Sequence, residues 1–170
     1  MSSCQLPFHR AVKLMIYNLL KAKKMVIPII EPELTNSWSV ADISGVPYKF
    51  TLNSSGYYES NNKGISNSAA MCRVNLHIEK ACNVLFKCIN YAESNFDFGL
   101  LGVVNKAMNI NYDDTSTNVA KSFKGLSSAD VQTYIYSNVA VGDHFIDVKY
   151  FKDSSSNKGN DSLQFTVEFV

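Results

Sequence analysis

The sequence predicts an all-β domain, an antiparallel two-sheet sandwich over residues 38–170, which follows a short N-terminal amphipathic helix and a proline-containing arm within residues 1–37. After Trp38, apolar and polar residues alternate along at least six segments, and clusters of Gly, Asn and Ser separate these segments. The composition agrees, because 9 Tyr and 10 Phe with only 18% charged residues are typical of half-exposed β-surfaces.

The N-terminal helix is predicted over residues 9–24, HRAVKLMIYNLLKAKK. Five side chains recur there at i, i+3, i+4, i+7 and i+8 and form one apolar stripe: Val12, Met15, Ile16, Leu19 and Leu20. The remaining face is basic. We expect the helix to pack on protein without inserting into a membrane, because Tyr17 and Asn18 interrupt the apolar stretch. Binding to an anionic membrane surface is the alternative.

The arm over residues 25–37, MVIPIIEPELTNS, contains Pro28 and Pro32. Neither a helix nor a central strand runs through two prolines, so the sequence predicts an extended linker or an edge segment. A helix and an arm outside a sandwich could hold a neighbouring copy of the chain, which makes a homo-oligomer through this region one expectation.

The strands are predicted from alternation, which places one face of each strand on the core and the other in solvent. The six segments read YKFTLN, CRVNLHI, CNVLFKCI, VQTYIYSNV, HFIDVKYF and LQFTVEFV. Residues 99–110, GLLGVVNKAMNI, fit a strand, a short helix, or both in turn. The predicted core is the apolar parity of these segments: Phe50, Val74, Leu76, Val84, Phe86, Ile135, Ile146, Val148, Phe165 and Val167.

The charge distribution along the sequence indicates which classes of partner the chain is suited to bind. Residues 1–24 carry five basic residues and no acid, whereas the remainder has 11 basic and 15 acidic residues, a net charge of −4. A mildly acidic body disfavours nucleic acid as the partner.

The four cysteines lack the spacing of zinc ligands. Free buried thiols are expected, with a disulfide from Cys72 to Cys82 or Cys88 as the alternative.

The stretch NYAESNFDFG, residues 90–99, admits three interpretations. Glu93 and Asp97 could act as a glycosidase pair, but nothing in the sequence places a second group opposite them. Alternatively, Asn95 and Asp97 bond the backbone of a turn at the end of a strand. Third, Glu93, Asn95 and Asp97 supply the oxygen ligands that calcium prefers. Calcium at these residues is the one cofactor that the sequence suggests.

Two segments together resemble a paired signature of jelly-roll modules from bacterial secreted and surface proteins and from phage tail or fibre proteins. They are ESNFDFG and, about fifty residues later, GDHFIDVKYFKDSSSNKGND. The resemblance spans roughly residues 38–170. It implies a jelly-roll-like sandwich at the cell surface, outside the cell or in a virion. The matching positions are Glu93, Asn95, Phe96, Asp97, Gly142, His144, Lys152, Asp153, Gly159 and Asp161.

The chain departs from that signature in its last strand, where such modules often carry a tryptophan. Leu163 and Phe165 stand there, so the resemblance does not carry over any ligand contact that the tryptophan would make. The loop part of the signature, Glu93, Asn95, Asp97, Asp153 and Asp161, is retained.

No enzyme motif is recognised: the nucleophile elbow, the phosphate-binding loops and HExxH are missing from the sequence. Cys72 and His77 have opposite parity on one strand and cannot meet. We therefore expect a non-catalytic module that binds glycan or another surface component. The alternative is a structural subunit that assembles with a protein partner. The candidate glycan-binding residues are Trp38, Tyr57, Tyr58, Asn61 and Asn62.

Overall fold

The computed structural model describes residues 33–154 and 158–170. The predicted N-terminal helix and most of the arm lie outside the described residues. Leu34–Val170 form one compact unit. It contains the strands β1 (Ser37–Asp42), β2 (Phe50–Leu52), β3 (Tyr58–Ser60), β4 (Ser68–Ile78), β5 (Cys82–Tyr91), β6 (Phe98–Gly102), β7 (Val119–Lys124), β8 (Val131–Val139), β9 (Gly142–Lys152) and β10 (Ser162–Phe169).

The strands form two five-stranded antiparallel sheets, which confirms the predicted all-β sandwich. Sheet 1 has the order β1-β4-β9-β6-β7, and sheet 2 has the order β2-β3-β10-β5-β8. The described residues contain no helix, and none of them therefore belongs to a helix long and apolar enough to cross a membrane. The segment 99–110 is a strand up to Gly102 followed by irregular backbone.

The core lies between the sheets and is built by alternation. Val74 and Leu76 of β4 face Phe86 and Phe165 of sheet 2, and all four side chains are buried. Aromatic rings fill much of this space; the Phe86 and Phe165 centroids are 6.0 Å apart. The described cysteines are free thiols: Cys72 and Cys88 are buried and Cys82 is half-buried, so the disulfide alternative does not apply to them.

One predicted core residue was wrong. Ile135 in β8 is 48% exposed, whereas its neighbour Tyr136 is buried. Apolar and aromatic residues occupy both parities of VQTYIYSNV, so alternation alone does not choose the inner face. The phenol of Tyr136 donates a hydrogen bond of 2.6 Å to the carbonyl oxygen of Gly102, which satisfies its polar end inside the core.

The outer face of sheet 1 is divided into a covered half and an open half. The segment 103–118, which we call the cover loop, lies over β6 and the adjoining part of β4. Met71 and Leu100 of these strands pack there against Met108 of the cover loop and Val46 in a second, smaller apolar cluster. The other half of the outer face, on β1, β4 and β9, forms the candidate site.

Candidate functional site

The open half of sheet 1 forms a groove of about 430 Å³ across β1, β4 and β9. Two cross-strand rows of side chains make its floor, because residues that pair in register on neighbouring strands lie side by side on one face. The two rows are Ser37, His77 and Asp143, and Ser39, Asn75 and Phe145. Trp38, Leu76 and His144 complete the lining. Five of the six floor residues thus carry a polar group, and the sixth, Phe145, adds an apolar aromatic ring.

The rows follow from parity along the strands. In β4, Val74, Leu76 and Ile78 face the core, so Asn75 and His77 point outward. In β9, Ile146 and the alternate residues after it are buried against sheet 2. The sequence pattern therefore locates each outward residue, but only the pairing of three distant strands brings them together.

His77 is held between two carboxylates. Its Nδ1 lies 2.6 Å from Oδ1 of Asp143, and its Nε2 lies 3.5 Å from Oε1 of Glu79. The hydrogen bond to Asp143 and the negative charge of this residue raise the pKa of His77, and Glu79 adds to the effect. The imidazole therefore holds its proton to a higher pH than a free histidine does.

The end of the groove nearest the cover loop is anchored by Arg73. Its guanidinium donates two hydrogen bonds to the buried carboxylate of Asp147, at 2.8 and 3.1 Å. The hydrogen bond to Asp147 raises the pKa of Arg73. The same guanidinium carbon lies 3.9 Å from the ring centroid of Phe145, a cation–π arrangement. The hydrogen bonds to Asp147 thus hold the guanidinium in place against the ring of Phe145.

The Ser37, His77 and Asp143 row has the residue types of a hydrolytic triad but not its geometry. A triad needs the ring nitrogen remote from the aspartate to bond the serine hydroxyl. Here that nitrogen faces Glu79, and the side chains of His77 and Asp143 are 56% and 85% exposed. The arrangement is suited to hydrogen bonding with a polar ligand in solvent.

The predicted aromatic binding residues lie mainly in the packing. Tyr58 stacks on Phe165 with ring centroids 5.7 Å apart, and Trp38 meets Tyr58 edge to face at 5.7 Å. Both side chains pack against the main core. Tyr57 is half-buried beside β3. Among these three, Trp38 alone lines the groove.

The predicted amides stabilise the chain around β3 and the loop that follows it. The side-chain oxygen of Asn61 accepts a hydrogen bond of 2.8 Å from the backbone N–H of Lys49. Asn62 is buried, and its amide nitrogen donates a bond of 2.9 Å to Ser68. The structure does not bring either amide into the groove.

The stretch NYAESNFDFG is a corner between β5 and β6. Asn90 is buried and its amide donates to the carbonyl oxygens of Asp97 and Phe123. Asn95 has a φ of 69°, in the left-handed region that asparagine tolerates in turns. The carboxylate of buried Asp97 accepts a bond of 3.2 Å from the backbone N–H of Asp153. Of the three interpretations, this geometry matches the structural one for Asp97.

The paired signature converges on a buried ionic cluster. Nζ of Lys152 lies 2.7 Å from Oδ1 of Asp161 and 3.7 Å from Oδ2 of Asp97. Burial raises the pKa of Asp97, an effect that the nearby Lys152 partly opposes. Sequence reasoning assigned Lys152 to the end of a strand, although its parity with Ile146, Val148 and Tyr150 indicates an inward position.

Two of the three calcium candidates contact lysine side chains. Asn95 accepts a hydrogen bond of 3.3 Å from Lys124, whereas Asp97 faces Lys152 inside the sandwich. Across residues 33–154 and 158–170, no three His, Cys, Asp or Glu side chains are grouped so that they could hold a metal ion. Calcium at Glu93, Asn95 and Asp97 stays a prediction from the sequence.

Comparison with protein-family models and with curated proteins found no match for this sequence.

Proposed function

We propose that the chain is a non-catalytic module of a surface or virion protein and that it binds glycan through the groove on β1, β4 and β9. The observation that carries the proposal is the pair of cross-strand rows, which set hydroxyl, amide, imidazole and carboxylate groups around Phe145. The proposed function includes neither binding of nucleic acid nor insertion into a membrane.

The chemistry of the floor suits a polyhydroxylated ligand. Sugars present apolar C–H faces that pack on aromatic rings and hydroxyl groups that bond amides and carboxylates. Asn75 offers both a donor and an acceptor beside the ring of Phe145, while Asp143 accepts. The strands of a paired sheet hold these groups in place before binding, which lowers the entropy cost of association.

We also propose that the sandwich is a jelly roll, as the resemblance implies. The eight strands from β3 to β10 supply the orders β3-β10-β5-β8 and β4-β9-β6-β7 within the two sheets. In this connectivity the first of the eight strands pairs with the last, as in two interlocked Greek keys. The topology supports the jelly-roll assignment. The proposal of a glycan ligand depends on the groove and not on this topology.

The test is a glycan array probed with the full chain, followed by measurement of affinity for the best glycan in three variants. Asn75→Ala should weaken binding roughly tenfold or more, about 1.4 kcal/mol, and Phe145→Ala should do the same. Thr133→Ala, in β8 of sheet 2, is the control and should bind normally. Unchanged affinity in both groove variants would refute the proposed site.

A second candidate function, assembly with a protein partner, is favoured by the outer face of sheet 2. Val131 and Ile135 of β8 are 51% and 48% exposed. They pair in register with the half-buried Ile89 and Leu85 of β5. An apolar patch of this kind suits a protein interface. If the chain is an assembly subunit, Ile135→Ser should reduce its mass in solution, whereas Asn75→Ala should not.

A further inference from the structure

The cluster that joins the two halves of the paired signature has an unusual composition for the inside of a sandwich. Lys152 of β9 is fully buried, and two carboxylates lie near its ammonium group. Asp161 immediately precedes β10, so the contact of 2.7 Å between Lys152 and Asp161 connects sheet 1 to the start of a strand in sheet 2. Burial excludes water, which otherwise competes for such groups.

The surroundings of Asp161 polarise its carboxyl group. The backbone N–H of Gly64 donates a hydrogen bond of 2.7 Å to Oδ2, and the phenol of Tyr150 donates one of 3.4 Å to Oδ1. The amine is thus beside Oδ1, while Oδ2 has its own backbone donor. This is the arrangement that stabilises a negative oxygen when a nucleophile adds to a carbonyl carbon.

Asp97 is placed to move protons next to this pair. Its Oδ2 is buried and lies 3.7 Å from Nζ of Lys152, and the phenol of Tyr150 also interacts with this carboxyl group. Burial raises the pKa of Asp97, and the nearby Lys152 partly opposes this effect. A carboxyl group beside an amine and a second carboxyl group can take a proton from one and pass it to the other.

We propose that Lys152 and Asp161 condense after folding to form an intramolecular isopeptide bond, with Asp97 as the proton-transfer group. The bond forms between Nζ of Lys152 and Cγ of Asp161. The proposal concerns a modification of the fold itself and does not depend on the groove or its ligand.

The step balances without an oxidant or a co-reactant. The Lys152 ammonium passes one proton to Oδ1 of Asp161 through their hydrogen bond, and the neutral amine then adds to Cγ. Negative charge develops on Oδ2, where the N–H of Gly64 stabilises it. Asp97 takes one proton from the nitrogen and passes it to Oδ1, the bond from Cγ to Oδ1 breaks, and one water molecule leaves. One hydrogen stays on the amide nitrogen, and Asp97 ends as it began.

The product would be a covalent connection between β9 and the residue before β10. Together with residues 153–160, this bond closes a covalent ring. We expect this ring to resist unfolding at the end of the sandwich where Asp97, Tyr150 and Gly64 meet, because a cross-link restricts the unfolded chain.

The test is mass spectrometry of the full chain, purified in its folded form and digested with trypsin. The proposal predicts no cleavage after Lys152. It also predicts one linked species that joins the peptides 150–158 and 159–170 and has a mass lower than their sum by one water molecule. Fragmentation of this species should assign the link to Lys152 and Asp161.

Three variants complete the test. Lys152→Arg keeps the positive charge but cannot form the bond, and Asp97→Asn keeps the shape but cannot transfer the proton; both should lack the linked species. Lys87→Arg is the control, because Lys87 makes an ion pair of 2.5 Å with Glu168 on the surface and should leave the link unchanged.

Three results would overturn the proposal. The first is a folded wild-type chain that is cleaved after Lys152 and yields only separate peptides. The second is a link that maps to Asp97 instead of Asp161, which would contradict the assigned roles. The third is a linked species at wild-type yield in folded Asp97→Asn, which would remove Asp97 from the reaction.

Discussion

The imidazole of His77 shows how one side chain acquires its properties from a neighbouring strand. Its partner Asp143 is 66 residues away in the chain, yet the register of β4 and β9 places the two side by side. His77 is the central member of a three-residue polar row in the groove, and its protonation state sets whether that row presents a cation to a ligand.

We expect the pKa of His77 to lie above the ordinary histidine value of about 6.5 and to fall in Asp143→Asn, because that variant removes the charged acceptor. The stabilising contribution of this pair is fully present below the ordinary value and is lost as the pH rises through the elevated one. Titration of the ring protons by NMR measures the pKa of His77 in the wild type and in Asp143→Asn. A pKa that is the same in wild type and variant would contradict the assigned pairing. His144→Asn, which alters a different histidine, serves as the control.

Single substitutions also test which side chains form the core between the two sheets. Phe86→Ala should lower the free energy of unfolding by about 3–5 kcal/mol, because it leaves a cavity among buried aromatic rings. Ile135→Ala, on the exposed face of β8, should change it by less than about 1 kcal/mol. Denaturant unfolding followed by fluorescence of Trp38 measures both. Similar losses in the two variants would mean that the faces of β8 have been misassigned.

Single residues also mark where sequence reasoning succeeded and failed. Nine of the ten predicted core residues are buried, and Ile135 is not. Alternation correctly identified the buried residues of β4, β5, β9 and β10, because only one face of each of these segments is consistently apolar. The sequence predicts Tyr58 and Asn62 as ligand residues because they lie in a polar stretch. In the structure Tyr58 stacks on Phe165, and the amide of Asn62 bonds Ser68.

The cover loop is held in place by a buried charge. Lys149 of β9 is fully buried beneath it. Its ammonium donates to the backbone carbonyls of Asn109, at 3.2 Å, of Asp114, at 2.8 Å, and of Asn111. Burial lowers the pKa of Lys149, and the charges of Asp114 and Asp113 oppose this effect. Asp147 completes the anchoring by accepting a bond of 3.0 Å from the backbone N–H of Met108.

We predict that Lys149→Met loosens the cover loop, because three carbonyl oxygens lose their donor while the apolar stem is retained. Hydrogen exchange of the backbone amides in 103–118 should accelerate, and the free energy of unfolding should fall by roughly 1–3 kcal/mol. Lys106→Met, an exposed change in the same loop, is the control and should do neither. Normal protection of the loop in Lys149→Met would show that apolar packing on Met108 alone holds it.

Sequence could not have identified the cover loop as a layer of the fold. The segment GLLGVVNKAMNI was ambiguous because its apolar residues serve two environments. Leu101 faces the main core, whereas Leu100 and Met108 belong to the second apolar cluster outside sheet 1. Lys149 gave a usable signal, since it lies between buried residues in HFIDVKYF, but the three carbonyl acceptors come from backbone that no side-chain pattern reports.

At the scale of the whole molecule, alternation predicted two antiparallel sheets but not their connectivity. Pairing partners such as β4 and β9 are separated by several strands in the sequence, and local patterns carry no information about such pairs. The groove depends on that connectivity, because each of its rows takes residues from β1, β4 and β9. The sequence instead predicts a site at Trp38 and in the loop around β3, where aromatic and amide residues are adjacent in the chain.

The proposed function therefore depends on whether a ligand contacts the two rows of sheet 1. The most direct measurement is NMR chemical-shift mapping of the full chain, titrated with the best glycan from the array. We expect the largest amide shifts at residues 37–39, 75–77 and 143–145, with little change in β5 and β8. Shifts concentrated at residues 85–89 and 131–135, or no response to any arrayed glycan, would contradict the proposed glycan site.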